Sequence, residues 1–270
     1  MTDLNYRDGY LGGILMDFMV VVGILMGVIA VLGGMIVKGA NLMVFVNPEA
    51  LLIIFVGMFA AVINSYPLSD IKRIPGMFKV LFTNRDYNPV ATIESIVEMS
   101  NIARREGLLA LEEPVNQIEN EFLKRGLEMV VDGIDAEQIE EIMYTEIEAT
   151  EERHHAGAGI FKTAGTTSPT LGVLGAVIGL IGALGDLSDV DKLGESISSA
   201  FVATLLGIFF GYVIMIPFSS RLARKSAEEI QVMNIALEGV LYIQAGQSPK
   251  TIKQKLYSKL EPKLRPEDEE

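Results

Sequence analysis

The sequence predicts an all-α membrane protein: four transmembrane helices in two hairpins, a helical cytoplasmic insertion between the hairpins, and cytoplasmic C-terminal helices. Three observations predict it. Half of the 270 residues are apolar and 21% are charged, too apolar for an ordinary soluble chain and too charged for one held wholly in lipid. The apolar residues are clustered. Windows 18–37, 50–69, 163–185 and 196–220 contain no Asp, Glu, Lys or Arg, and each has about the 20 residues needed to cross a hydrocarbon core. Charge is also asymmetric. Lys72, Arg73 and Lys79 follow the second window and Arg221, Arg224 and Lys225 follow the fourth, whereas "DLSDVDKLGE" between windows three and four is acidic. Basic flanks mark the cytoplasmic side. Both termini and the long segment after window two are then cytoplasmic, and only two short loops face outward. The chain divides into an N-terminal tail with spans one and two (1–69), a cytoplasmic helical domain (70–162), spans three and four (163–220) and C-terminal helices with a tail (221–270).

Span one is not read as a signal peptide, because no basic segment precedes it and a second span follows about a dozen residues later. In the insertion, Asn88 caps a helix whose first turn holds Pro89, and Gly107 ends it. Asp135 with Gln138 resembles a capping box, and Ile139, Ile142, Met143 and Ile147 follow at helical spacing. No strong breaker follows until Gly157 and Gly159, so this helix is expected to run nearly into the membrane. Span four continues into an amphipathic stretch at 221–243. Ser248 and Pro249 open a last short helix, and the charged end "RPEDEE" is expected to be disordered.

Composition excludes several function classes. There is no cysteine, hence no disulfide, thiol chemistry or cysteine-based metal site, and a net charge of -13 argues against nucleic acid. There is no phosphate-binding loop, nucleophile elbow or zinc pattern. An enzyme, a cofactor or a metal centre is therefore not expected. His154 and His155 are adjacent, point about 100° apart on a helix and do not share a metal easily. The glutamates between 137 and 152 read as a solvated face.

The informative feature is a stripe of small residues. On a helix, Gly172, Gly175, Ala176, Gly179, Gly182 and Ala183 share a face, and Gly175 and Gly179 form a GxxxG step. Ala200, Ala203, Thr204, Gly207 and Gly211 repeat the device in span four. Lipid tails are as apolar as leucine, so helices in a bilayer associate by close backbone packing that small residues permit. Either these spans pack only on one another, or part of the face receives a separate helix. The spans contain no charged group. Asp17 and Glu49 lie at span edges, and the internal polar groups are hydroxyls and one amide, among them Ser168, Thr170, Thr204 and Asn64. Ion passage normally uses a carboxylate within the membrane, so the chain either does not transport or takes its carboxylate from a partner. Pro169 and Pro217 sit near the cytoplasmic ends of spans three and four, where each bends its helix or frees a carbonyl.

The segments "ARREGLLALEEPV", "ATEERHHAGAGIFKTAGTTSPTLG", "SPTLGVLGAVIGLIGAL" and "AFVATLLGIFFGYVIMIPF" resemble the MotA family of flagellar stator subunits, in order and over nearly the whole chain. The resemblance implies a bacterial inner-membrane subunit that forms a ring of five around two MotB-like subunits. The MotB transmembrane helix would supply an ion-binding aspartate, and ion flux would turn the ring against the rotor protein FliG. Pro169, Pro217 and Thr204 match family positions of the ion path. Ala176 stands where sodium-driven relatives have threonine, which favours protons. Arg104 and Glu112 match a rotor-facing charged pair; without the resemblance they would read as ordinary surface charges. Two alternatives compete: an energiser of the ExbB/TolQ type, against which the first hairpin and "ARREGLLALE" speak, and a non-transporting membrane scaffold.

Overall fold

A computed structural model describes residues 15–16, 18–39, 41–84, 87–185 and 190–266. Asp17, the first part of the acidic loop and the last four residues of the charged tail lie outside the described residues. The chain forms two compact units, Met1–Arg85 with His155–Ala223, and Asp86–His154 with Arg224–Glu270. Apart from a two-residue antiparallel pairing of Leu15–Met16 with Thr83–Asn84, the described elements are helical. Among the described residues, four helices are long and apolar enough to cross a membrane.

In the first unit, α1 (Phe18–Val37) has no buried residue, as expected of a helix whose solvent is lipid. Helix α2 (Pro48–Ser65) starts at Asn47, whose side chain accepts from the Ala50 N–H at 3.1 Å, with Pro48 in the first turn. Window two was expected to reach residue 69. The helix stops at Ser65 because Pro67 forces the preceding Tyr66 into extended backbone (φ -130, ψ 146). Short helices α3 (Leu68–Ile71) and α4 (Ile74–Phe82) follow. Ala50, Ile54, Met58 and Val62, one every four residues, bury one stripe of α2 against Ile160, Ala164, Val202, Ala203 and Leu206. A second cluster joins Leu81, Phe161 and Phe218, with Phe78 edge-on to Phe161 at 5.3 Å between ring centroids.

In the second unit, α5 (Pro89–Glu106) is capped as the sequence requires. Asn88 Oδ1 accepts from Val90 and Ala91, and Gly107 closes the helix at φ 90. A 3₁₀ turn (Leu108–Leu111), α6 (Glu112–Val115) and α7 (Glu121–Val131) follow. The core combines Ile93, Ile96, Leu123, Leu127, Ile139, Met143, Ile235, Ile243, Ile252 and Leu256. Gly126 lets α7 approach closely: a Cβ there would lie 2.8 Å from Met143 Sδ and from Val240 Cγ2. Asp135 accepts from the Gln138 N–H at 3.0 Å and starts α8 (Ala136–Leu184), 49 residues without a break. Its buried stripe is Ile139, Met143 and Ile147. Ile142, expected with them, is 51% exposed, because a step of three from Ile139 carries it past the core edge. The fourth apolar stretch is also longer than its window. Helix α9 (Val190–Ile208), a π-helical segment (Phe209–Met215) and α10 (Ile216–Gln244) are continuous. Ser248 then caps α11 (Pro249–Tyr257) by accepting from the Thr251 N–H.

Candidate functional site: a glycine seam between two apolar helices

Spans three and four of the first unit meet along a seam where side chains are nearly absent. A Cβ on Gly172 would lie 2.7 Å from the Ala203 carbonyl oxygen and 3.1 Å from Gly207 Cα. One on Gly207 would lie 2.7 Å from the Ser168 carbonyl oxygen, and one on Gly211 2.6 Å from the Gly165 carbonyl oxygen and 2.9 Å from Pro169 Cδ. Backbone touches backbone here, which only glycine allows. Ser168, with no exposed surface, donates its hydroxyl to the Gly207 carbonyl at 2.8 Å. In a bilayer such packing and one cross-helix hydrogen bond are what join helices.

The predicted stripe is thus graded. Gly172, Gly207 and Gly211 lie at the closest approach. A Cβ on Gly175 would be 3.4 Å from Ala203 Cβ, and one on Gly179 3.7 Å from Ala200 Cβ, both ordinary contacts, while one on Gly182 would meet nothing within 4 Å. The sequence had placed the tight step at Gly175 and Gly179; the tight step is one turn nearer Pro169. Gly165, absent from the predicted stripe, belongs to it, with Ile216 Cγ1 2.8 Å from where its Cβ would stand. Pro169 is half-buried against Gly211, and Ala176 is half-buried beside the seam. Thr204 turns its hydroxyl to the Ala200 carbonyl of its own helix at 3.3 Å, and its Cα lies 3.2 Å from where a Gly172 Cβ would stand. Pro217 is exposed.

Just before Pro217 the helix changes its hydrogen-bond ladder. The Ile216 N–H reaches the Gly211 carbonyl, five residues back, and Pro217 has no N–H to give. Residues of span four that face span three follow as Ala200, Ala203, Gly207 and Gly211, in steps of three or four, and then Ile216, a step of five. The π segment supplies the extra residue. Sequence reasoning missed it, although a glycine six residues before a proline is the local hint that backbone register can change there.

Outside the seam the same spans are bulky and apolar. Val173, Leu174, Val177, Ile178, Ile181 and Leu184 are exposed on one helix, and Phe201, Leu205, Ile208 and Tyr212 on the other. No group of three metal-binding side chains occurs among the described residues. The seam offers hydroxyls and carbonyls and no carboxylate.

Arg104 and Glu112 belong to the second unit. Arg104 is in the last turn of α5 and Glu112 is the first residue of α6, with Gly107 and the 3₁₀ turn between them. Both are exposed, and among the described residues neither forms an ion pair.

Four apolar helices, two of them joined through glycines and with no Asp, Glu, Lys, Arg or His inside their apolar windows, define a polytopic helical membrane subunit built for close helix packing. Residues 21–107 match the family described as Motility protein A N-terminal, and residues 114–235 match the MotA/TolQ/ExbB proton channel family. The chain is 49% identical over 245 residues to Motility protein A of Bacillus subtilis (strain 168), covering 89% of this chain and 90% of that one. Among solved structures, it superposes on a chain of the flagellar MotAB stator complex from Bacillus subtilis with a TM-score of 0.84 at 49% identity, covering 90% of this chain and 96% of that one. It superposes on a chain of C. jejuni MotAB with a TM-score of 0.87 at 33% identity, covering 92% and 97%. The chain belongs to the MotA/TolQ/ExbB proton channel family, among its motility A proteins.

Proposed function

We infer that this chain is the MotA-type subunit of a bacterial flagellar stator, which with a MotB-like single-span partner forms an ion channel whose flux drives the flagellar motor. The observation that carries this reading is the seam. Spans three and four pack backbone to backbone at Gly172, Gly207 and Gly211 yet hold no carboxylate, so a channel of this family built on them takes its ion carrier from a second polypeptide. Likeness to a MotAB stator chain over nine-tenths of the sequence points to a MotB-type protein as that second polypeptide.

In this reading the chain is a multi-pass protein of the bacterial inner membrane with both termini in the cytoplasm. Spans one and two (1–69) precede a cytoplasmic domain (70–162), spans three and four (163–220) and C-terminal helices (221–270). Five copies surround a partner dimer. Pro169, Ala176, Thr204 and Pro217 border the ion path, Gly172, Gly175, Gly179, Gly207 and Gly211 pack the helices, and Arg104 with Glu112 meets the rotor protein FliG. The ion is the proton. Ala176 has no hydroxyl to replace a hydration oxygen of sodium, and the family is described as a proton channel family. From residue 21 onward the first hairpin lies within the motility A N-terminal match, which favours a flagellar stator over an ExbB-type energiser.

The test is ion uptake into liposomes with a dye for internal pH. The chain alone should give none, and the chain with its MotB-like partner should give proton uptake that is lost when the partner's membrane aspartate is neutralised. Proton uptake by the chain alone would overturn the reading.

A further inference from the structure

Past span two the chain forms a short amphipathic elbow. Pro67 ends α2, and α3, the α-conformation residues Lys72 and Arg73, and α4 then run on as a nearly continuous helix. Ile71, Ile74, Met77 and Leu81, at steps of three or four, turn inward and pack on the clusters that contain Ile160, Phe161 and Phe218. The outward face mixes two residue types. Leu68, Phe78 and Val80 are exposed apolar side chains, and Lys72, Arg73 and Lys79 are exposed cations. Asp70 is the only carboxylate between residues 67 and 82, and it lies 3.3 Å from the Arg73 guanidinium. Lys72 and Lys79, seven residues apart and so on one face, form no ion pair among the described residues. In a chain of net charge -13 this face is a local reversal of sign.

We propose that the outer face of this elbow binds anionic phospholipid headgroups, with Lys72 and Lys79 on the phosphates and Leu68 and Val80 among the first acyl carbons. Exposed apolar side chains interleaved with unpaired cations need a neighbour that is both apolar and negative, and the headgroup–acyl boundary of a bilayer is such a neighbour. The face is also continuous with one that meets lipid. Leu52, Phe55, Val56, Phe59 and Ile63 are exposed along α2, which leads into Leu68. Apolar residues do not discriminate between phospholipids, so the preference for negative charge comes from the lysines. A lysine is a point charge without a fork, and the face therefore selects net charge rather than one headgroup. Phe78 holds the lysines at a fixed height, its ring edge-on to Phe161 at 5.3 Å and to Phe218 at 6.1 Å between centroids. This rests on the reading that span two ends at the cytoplasmic face, where anionic lipid is concentrated.

The chain contains no tryptophan, so Leu68→Trp places a single reporter at the elbow. The complex of this variant with its MotB-like partner is reconstituted in bilayer discs of equal parts phosphatidylglycerol and phosphatidylcholine, with one lipid or the other brominated. The same complex without the substitution supplies the background fluorescence. Brominated phosphatidylglycerol should quench the reporter more, with a preference of about tenfold over phosphatidylcholine. Lys72→Gln with Lys79→Gln should bring the two lipids level. Lys250→Gln with Lys263→Gln, which removes the same charge from exposed sites of the second unit, should leave the preference as it was. Equal quenching by the two lipids, a preference that survives the loss of Lys72 and Lys79 or vanishes in the Lys250 and Lys263 control, or no quenching by either lipid, as when protein covers the elbow, would overturn the proposal. Both leaflets of a disc have one composition, so the result does not depend on which way the chain is inserted. If instead Ser69→Cys, the sole cysteine of such a variant, is labelled from outside in intact cells by an impermeant maleimide, it is the cytoplasmic reading itself that fails.

Discussion

At the scale of single residues, the seam sorts its glycines by what stands opposite. Gly172, Gly207 and Gly211 face backbone carbonyls at 2.6–2.7 Å from a would-be Cβ, and carbonyls cannot turn aside as side chains do. Alanine at these positions should cost about 1–3 kcal/mol of overpacking and lower the melting temperature of the purified complex. Gly175→Ala and Gly179→Ala should be neutral within error, because their nearest neighbours are at ordinary contact distance. A flat response across all five positions in a thermal-shift series would remove the seam as a stabilising contact. Leucine at Gly175 or Gly179 is a different test, since a whole side chain must fit; it should abolish swimming while the protein still reaches the membrane.

Arg104 poses the opposite problem, a residue that costs nothing to hold. It is exposed and unpaired, so Arg104→Ala should leave stability within about 0.5 kcal/mol of wild type. Exposed pairs are worth about 1 kcal/mol or less, and several would share the load at a moving contact. Swimming should therefore weaken only partly for Arg104→Ala or Glu112→Ala and fail more severely for Arg104→Glu. Proton uptake should be normal in all three. Loss of uptake in Arg104→Glu would place the residue in the conducting machinery instead.

At the scale of elements, the π segment Phe209–Met215 decides which residues of span four face inward. Gly211 and Ile216 both meet Gly165, although they are five apart. Downstream, Phe218 joins Leu81 and Phe161, and the Ser219 hydroxyl donates to the Ala158 carbonyl at 2.8 Å. Each residue added to or removed from a regular helix turns everything beyond it by about 100°. A π turn already contains the extra residue, so deleting the exposed Tyr212 should let the segment close into α-helix and keep Phe218 and Ser219 in place. Deleting the exposed Leu205, in the regular part of α9, should turn Gly207, Gly211 and Phe218 off their partners. The check is the fluorescence size-exclusion profile of tagged protein. The Tyr212 deletion should elute as wild type and the Leu205 deletion should aggregate or vanish. Equal behaviour of the two would mean that the π segment does not set the phase of span four.

At the scale of the whole molecule, the spans supply close packing and no carboxylate, and the choice of ion rests on few groups. Swimming speed should follow the proton gradient and survive replacement of sodium by potassium at constant proton-motive force. Collapse of speed on sodium removal would mean that a hydroxyl other than one at position 176 completes a sodium site.

What the sequence determined by itself is what depends on a few neighbouring residues or on bulk composition. Spans were legible because transfer into lipid sums over about 20 residues and tolerates no charge. The starts at Asn88, Asp135 and Ser248 and the stop at Gly107 were legible because each cap satisfies backbone groups within one turn of itself. The lack of a carboxylate in the spans was legible too, as an absence that no folding could change. Tertiary structure decided the rest. Which glycines touch depends on where two helices some forty residues apart come closest, and the step at Gly172 and Gly207 looks no different in sequence from that at Gly175 and Gly179. The outward turn of Ile142 and the extra residue before Pro217 have the same origin. Each depends on what a neighbouring helix offers or withholds, and hydrophobic periodicity along one chain carries no record of its neighbour's register.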